Sequence, residues 1–592
     1  ARELSEPYPA VDLLEQRRIV ARQNETTYVY DFLELFKEAL KEIWREYALA
    51  CRKAAAAAAA ASSTSSTSSL GAPEPPKVLL EAWELVPDAG APGGVREVAN
   101  SAMGHNTVGM VGWRLRLYTP ECPAGRDVIV VANDITHQIG SFGPEEDAFF
   151  EAVSKLARAR GLPRVYLAAN SGARIGLAEE VKQAFRVQWV DPADPGRGFH
   201  YLYVEDADYE ALRPYVNCER TADGRWRIVD IIGRRDGLGV ENLRGSGLIA
   251  GETSRAYEEI FTITLVTGRT VGIGAYLVRL GQRTVQNQGP IVLTGATALN
   301  KVLGREVYTS NVQLGGLQIM YANGVSHVSA DDELQAVRAV LQWVAYVPAA
   351  RGEPLPVLAT PWDAVARPVA WSPQENTPYD PREMLGGALL LGGEWCGGFF
   401  DRGSFFETLA GWAKTVVCGR ARLGGIPVGV ICAETRIVER VTPADPANLA
   451  SHESVSQQAG GVWYPDSAFK TAQAIEDFNK GEQLPLFIFA NWRGFSGGMR
   501  DMFDEILKFG SYIVDHLCHY AQPVFVYIPP FGDLRGGAWA VLDPTINPDM
   551  MEMYSTETGR GGVLEPSGTV EIKYRERELL LTMHRLDPKL QA

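Results

Sequence analysis

The sequence predicts a layered α/β fold built as two homologous lobes, and three observations predict it. From Val78 onward strand-like and helical segments alternate, which favours packed layers over separate all-α or all-β parts. One strand–turn–helix–strand unit then occurs twice. Residues 127–134 (DVIVVAND) and 486–492 (LFIFANW) are apolar runs that end in Ala-Asn. Each is followed by a glycine-containing turn, a helical pattern and a second apolar strand, closing on an arginine among glycines, Arg174 and Arg535. The matched order makes chance similarity between α/β units the weaker reading. Thirdly, repeated prolines around 350–385 mark a connection between two such halves.

Taken in order, residues 1–53 carry an amphipathic helical pattern, strongest in DFLELFKEALKEIWREYA. Residues 54–77 are a low-complexity Ala/Ser/Pro insert, to which no function is assigned. Residues 78–370 are expected to form the first lobe. Within it Gly245, Gly247, Gly251, Gly272 and Gly274 permit close approach of backbone to a ligand. Residues 371–592 are expected to form the second lobe. There YPDSAFKTAQAIEDF enters a helix, with Asp466 or Ser467 as the expected cap.

Composition narrows the function. Hydrophobic residues make up 46% of the 592, ample for packed cores. A net charge of -15 argues against nucleic acid, whose phosphates require clustered Lys and Arg. The 7 cysteines include no C-x-x-C pair, which suggests reduced thiols in an intracellular compartment. No apolar run of about eighteen residues is present to span a membrane. The sequence opens at Ala1 without a methionine, so an excised piece of a longer chain is expected.

The richest stretch is 484–505, LPLFIFANWRGFSGGMRDMFDE. A strand feeding a glycine-rich turn and then a helix exposes backbone N–H groups where partial positive charge collects. Arg493 sits in that turn, a permanent cation able to grip a carboxylate with two parallel bonds. An anion or oxyanion site and a tight turn with a solvated arginine are both compatible with it. There is no phosphate-binding G-x-x-x-x-G-K-[ST], and Gly272-Ile273-Gly274 lacks the third glycine of a dinucleotide fingerprint. No H-E-x-x-H occurs, and no metal site is expected. Gly494-Phe495-Ser496-Gly497-Gly498 fits G-x-S-x-G, so a serine hydrolase with Ser496 as nucleophile and His584 as partner is the alternative. Several polar residues separate Ser496 from the strand, unlike a nucleophile elbow. What remains, glycine turns and isolated arginines without a convincing side-chain base, suits an enolate stabilised by backbone amides.

Here long segments resemble a known family. VVANDITHQIGSFGPEED, YLAANSGARIGLAEE, DGLGVENLRGSGLIAGETSRAY, FTITLVTGRTVGIGAYLVRLGQR, LNKVLGREVYTSN, GGVWYPDSAFKTAQAI, FANWRGFSGGMRDMF, IPPFGDLRGGAW and VLEPSGTVEIK are similar to the carboxyltransferase domain of eukaryotic multidomain acetyl-CoA carboxylase. The resemblance implies two homologous crotonase-like (ClpP/crotonase) lobes, each a β-β-α superhelix. It implies transfer of a carboxyl group from carboxybiotin, on a separate biotin carboxyl carrier domain, to acetyl-CoA, giving malonyl-CoA through an enolate for fatty acid synthesis. It also implies a homodimer with each active site between lobes of two subunits, a biotin carboxylase domain elsewhere in the enzyme, and a cytoplasmic or plastid location.

By motif, the resemblance assigns Arg493 and Arg269 to carboxylate recognition and Gly536 and Gly537 to oxyanion amides. Lys301 matches a lysine near the CoA moiety. Gly272, Tyr276, Trp463, Phe495 and Val563 match pocket walls, and Leu243 matches a wall position where the family's herbicide sensitivity varies. Without the resemblance, Trp463 and Phe495 read as core aromatics and Lys301 as a solvated lysine. Two departures stand out: Thr297 replaces a family proline near Lys301, and the family continues beyond Ala592 with a further helical segment. A crotonase-fold scaffold without activity is the third reading.

Overall fold

In this computed structural model the described residues are 10, 12–61, 74–99, 103–174, 179–231 and 242–591. They divide into two compact units, Ala1–Pro354 and Leu355–Ala592.

The first unit begins with α1 (Leu13–Gln23), capped by Asp12, which accepts the Glu15 N–H at 2.8 Å. In α2 (Phe32–Ala61), Phe32, Phe36, Leu40 and Trp44 form a buried stripe at helical spacing. The helix passes the expected stop at Lys53 and continues through the alanines to Ala61. Alanine is the best helix former, and extending an existing helix avoids the cost of nucleation. The remainder of the expected insert, residues 62–73, lies outside the described residues.

There follow β1 (Leu80–Pro87), β2 (Val95–Ala99), β3 (Met110–Thr119), β4 (Cys122–Asn133), α3 (Pro144–Arg160) and β5 (Arg164–Ala168). A four-stranded antiparallel sheet between Arg186 and Ile231 comes next, with a small core around Val181, Val204, Leu212 and Val216. The unit continues through α4 (Asn242–Glu259), β6 (Thr262–Val266), β7 (Thr270–Val271), α5 (Ile273–Leu280), β8 (Arg283–Gln286), β9 (Ile291–Val292), α6 (Ala296–Leu303) and β10 (Val328–Ser329). The main sheet runs β10-β8-β6-β5-β4-β3-β1-β2, parallel from β10 to β4 and antiparallel beyond. Every residue of β5, β6 and β8 is buried, as expected of parallel strands covered on both faces.

The second unit comprises β11 (Phe406–Thr408), β12 (Val416–Leu423), β13 (Ile426–Ala433), β14 (Val462–Trp463), α7 (Pro465–Asn479), β15 (Leu486–Phe489), β16 (Gly494–Phe495), α8 (Met499–Phe503), α9 (Ile506–Cys518) and β17 (Val524–Ile528). It ends with β18 (Asp533–Arg535), α10 (Gly536–Ala540), β19 (Met551–Ser555), β20 (Arg560–Gly562), α11 (Pro566–Lys573) and α12 (Glu576–Leu586). Its main sheet is β11-β12-β13-β15-β17-β19. Pro465 takes the first helical position of α7, so the cap is Tyr464 rather than Asp466 or Ser467. Ser467 instead accepts the Tyr464 N–H at 2.9 Å.

Both units repeat one turn: a main-sheet strand, a short second strand, then a helix. In the first unit the turns are β4–Phe142–α3, β5–Ala173–α4, β6–β7–α5 and β8–β9–α6. In the second they are β13–β14–α7, β15–β16–α8/α9, β17–β18–α10 and β19–β20–α11. The short strands pair parallel with their successors, Phe142 with Ala173, β7 with β9, β14 with β16 and β18 with β20. This topology corrects the register of the internal repeat. The segment 127–134 matches β13, not 486–492, and β5 matches β15. Pro144 and Pro465 open the equivalent first helices. Arg174 and Arg535 therefore lie on different turns, the second and the third. Successive turns share one pattern of apolar strand, glycine corner and helix, so a comparison of pattern alone slips by one turn.

The division at Pro354 lies ahead of the expected 370/371. The intervening residues are tied into the second unit: Leu358 N–H donates to Gly425 O at 2.9 Å, Arg422 to Pro356 O at 2.6 Å, and Ala370 N–H to Gly397 O at 2.9 Å.

On α3, Asp147 is 2% exposed, and among the described residues both its carboxylate oxygens are buried without a hydrogen-bond partner. Gly245 of α4 lies against it; a Cβ there would come within 2.1 Å of Asp147 Oδ2. Desolvation first, and the Glu146 carboxylate second, push the Asp147 carboxyl up to about 7, opposed by Arg174. The unfolded group titrates near 3.9. Between these values the folded chain holds a proton that the unfolded chain has lost, so this contribution to stability falls as pH rises through about 4 to 7. Asp147→Asn removes that slope. In urea unfolding it is expected to gain on the natural chain between pH 4 and pH 8, by a few kcal/mol at most. A difference independent of pH counts against the buried neutral carboxyl.

Candidate active site

The third turn of the second unit builds a surface from main chain. β18 pairs parallel with β20, placing Arg535 opposite Gly562. α10 then opens at Gly536, whose φ of 49° is the left-handed region that favours glycine. A Cβ on Gly536 would lie 3.0 Å from Val563 O, so side chains are excluded by space as well as by conformation. The first N–H groups of a helix have no acceptor within it, and Gly536 and Gly537 occupy those first positions of α10. Beside them is a cavity of about 350 Å³ lined by Gly536, Trp539, Ala540, Gly561, Gly562 and Val563, with Val563 79% exposed.

Phe495 stands next to this turn: a Cβ on Gly537 would meet its ring at 3.6 Å. Its ring stacks on Trp463 at 4.9 Å, and Trp463 stacks on Trp492 at 4.2 Å. Trp463 was expected as a pocket wall, but it is 0% exposed and donates its indole N–H to Thr471 at 3.0 Å. It lies in the core beneath Phe495 and acts through it, because β14 pairs with β16 and turns the indole inward.

Arg493 lines a different cavity, a cleft of about 630 Å³ whose wall includes Tyr379, Thr435, Asn491, Asp533, Arg535 and Arg560. Arg535 pairs with Asp533 at 2.6 Å and donates to Leu564 O at 2.5 Å, while Arg560 pairs with Glu375 at 3.4 Å. Among the described residues the Arg493 guanidinium is exposed and makes no hydrogen bond or ion pair, so it is the cleft arginine left to meet an anion. Arg493→Lys keeps the charge and loses the planar fork. A charge-assisted bond is worth about 1.5–3 kcal/mol, so kcat/KM of a reaction that binds a carboxylate here is expected to fall about tenfold to a hundredfold. An unchanged kcat/KM removes Arg493 from the site.

Ser496 does not form a nucleophile pair. Its hydroxyl is bonded to the Asp501 carboxylate and its N–H to Trp463 O at 2.8 Å, and among the described residues no histidine bonds it. His584 lies on α12. Ser496→Ala is expected to keep activity within about threefold, whereas loss of a covalent nucleophile costs several orders of magnitude. Steady-state kinetics separate the two.

In the first unit the equivalent third turn repeats the arrangement. Gly272, with φ 57°, precedes α5, and its N–H donates to Val292 O at 2.9 Å. Leu293 flanks it as Val563 flanks Gly536. Tyr276 follows one helical turn later, 55% exposed. The Arg269 guanidinium donates to Asn24 Oδ1 at 3.2 Å. Lys301 is exposed in the last turn of α6, with Thr297 exposed in the first. Leu243, in the first turn of α4, is 61% exposed. Trp539, Gly561, Gly562, Arg535 and Arg560 were not singled out as site residues. Their signal is Arg-Gly-Gly occurring twice, at 535–537 where β18 passes into α10 and at 560–562 on β20, the strand that pairs with β18. No cluster able to hold a metal ion occurs among the described residues.

Residues 120–592 match the family described as the carboxyl transferase domain. Relatives include "Acetyl-CoA carboxylase" of Dictyostelium discoideum, 57% identical across 99% of this chain and 26% of that protein. Its namesake in Schizosaccharomyces pombe is 54% identical across 99% of this chain and 25% of that protein. The chain thus spans about a quarter of the length of the curated relatives it matches. Among solved structures, a transcarboxylase 12S hexamer with methylmalonyl-coenzyme A and methylmalonic acid bound has a TM-score of 0.57 at 16% identity, over 79% of this chain and 72% of that one. That likeness shows the crotonase-like fold.

Proposed function

Because the chain belongs to the carboxyl transferase family, we propose that it is the carboxyltransferase part of a multidomain acetyl-CoA carboxylase, converting acetyl-CoA to malonyl-CoA for fatty acid synthesis. The observation that carries the reading is the α10 turn, where a helix opens on Gly536-Gly537 beside a largely apolar cavity. Flat glycine faces at Gly561 and Gly562, with Trp539 and Val563, suit the ureido ring and apolar tail of biotin. Carboxybiotin, held on a separate carrier domain, supplies the activated carboxyl group when bound. The amides of Gly536 and Gly537 stabilise negative charge on the thioester oxygen once a methyl proton has left, a role suited to donors fixed in advance. Arg493 and Arg269 hold the carboxylate, and Gly272, Tyr276, Leu243 and Lys301 bind the CoA thioester.

The active form is a homodimer, each site taking Arg269 from one subunit and Arg493 from its partner. The exposed apolar side chains of Met499, Phe503 and Leu507 on α8 and α9 support a partner surface. The remaining partners are the biotin carboxylase and carrier domains of the same enzyme, in the cytosol or in a plastid. No helix among the described residues is long and apolar enough to cross a membrane.

The test is purified chain incubated with malonyl-CoA, with and without free biotin. Biotin-dependent formation of acetyl-CoA is expected. Release of free CoA without biotin sinks this reading in favour of a hydrolase, and no turnover favours a scaffold.

A further inference from the structure

With the register of the repeat corrected, an Ala-Asn step at Asn170 and Asn491 has no role assigned so far beyond Asn491's place in the wall of the Arg493 cleft. It falls at the same place in both units, two residues past the second main strand: Asn170 after β5 and Asn491 after β15. In the first unit Asn170 is 0% exposed. Its Oδ1 accepts the N–H groups of Gly172 at 3.1 Å and Val271 at 3.3 Å, and its own N–H donates to Arg269 O at 2.8 Å. Its Nδ2 donates to Tyr166 Oη at 3.2 Å, and Tyr166 in turn donates to Asn133 Oδ1 at 2.6 Å. Gly274, in the first turn of α5, packs so close that a Cβ there would lie 2.1 Å from Asn170 Oδ1. In the second unit Asn491 Oδ1 accepts the Asp533 N–H at 2.9 Å, and the adjoining Trp492 O accepts the Arg535 N–H at 3.0 Å.

Each asparagine thus grips the short strand of the next turn, the strand that delivers Gly272 or Gly536. A helix interior or sheet ladder cannot supply this bond, because β7 and β18 each pair on one side with a later strand and present their remaining N–H groups to the preceding turn. An amide side chain offers an acceptor and donors in one plane, which suits a bridge between turns.

We propose that Asn170 and Asn491 are positioning residues for the glycine corners at Gly272 and Gly536, acting through β7 and β18. This rests on the carboxyltransferase reading for its catalytic consequence and on geometry alone for the placement. Asn491→Ala deletes the acceptor, and Asn491→Asp keeps it. The expected result for Asn491→Ala is faster amide hydrogen exchange confined to residues 533–538, and a kcat for biotin-dependent malonyl-CoA turnover lowered about tenfold, equivalent to one lost hydrogen bond, with KM unchanged. Asn491→Asp is expected to recover most of both.

Unchanged exchange at 533–538, or faster exchange with an unchanged kcat, overturns the proposal, as does an aspartate variant as impaired as alanine. Exchange is measured without substrate. Should the unaltered protein not turn over malonyl-CoA, the carboxyltransferase reading fails while exchange still decides the placement. Asn170→Ala is read by exchange at 271–275 beside its thermal midpoint; where the loss of a buried partner unfolds it, the Asn491 variants decide.

Discussion

Gly536→Val is expected to lower kcat for carboxyl transfer by about a hundredfold or more, the scale of losing one oxyanion donor. A β-branched residue is a genuine outlier at the φ of 49° that Gly536 adopts. Its Cβ would also press on Val563 O at 3.0 Å. The strain is relieved only by rotating the Gly536 peptide, which displaces the main-chain donors at the start of α10, or by moving the Val563 segment, which Arg535 anchors through Leu564 O at 2.5 Å. The turn reaches the core through Leu534 and Ala538, but most of that core lies around β12, β13, β15 and β17 with α7 and α9, so the thermal midpoint should move by only a few degrees. Kinetics beside a melting curve check this, and a kcat within a few-fold of normal removes the α10 turn from the chemistry.

Two inactive proteins are expected to regain activity when combined. Arg269→Ala and Arg493→Ala each remove one of the two arginines proposed to hold the carboxylate from every site of the proposed homodimer. With the proposed site shared between subunits, a mixed dimer collects both lesions in one site and neither in the other, because an isologous contact occurs twice. Mixed dimers isolated through two different affinity tags should therefore show half the activity of the unaltered dimer. With both arginines working within one chain, each site keeps a lesion and nothing returns. No recovery in verified mixed dimers rules out the shared site.

The α/β class and the doubling were legible because apolar strands, glycine corners and helices recur with unmistakable period. The register of the doubling was not. Pairing partners decide it, and only the parallel contacts of β4 with β5 and β13 with β15 show which turn is first. The small sheet at 186–231 escaped notice for a similar reason. Its strands pair only with one another, and its core of four buried side chains is too small to impose a strong pattern. Arg493 draws notice because it sits in a glycine-rich corner of a single segment, whereas Gly536 is assigned by the resemblance alone. Trp539, Gly561 and Arg560 have only the repeated Arg-Gly-Gly as a trace in the sequence, since their cavities exist only once β18 and β20 are joined. Trp463 shows the opposite limit: a motif gave its neighbourhood correctly, but only the stacking under Phe495 tells which aromatic faces outward.

A site whose working parts are peptide groups also answers differently to genetic probing. At Gly537 an added methyl would meet Phe495 at 3.6 Å, an ordinary contact, and the N–H would remain in place. Alanine scanning subtracts side chains, so it leaves this donor on the protein while appearing to have sampled the position. The atom that matters is encoded by no codon. Removing it calls for replacing the amide with an ester by chemical or suppressor synthesis, so that the oxygen stands where the N–H was and the donor alone is lost.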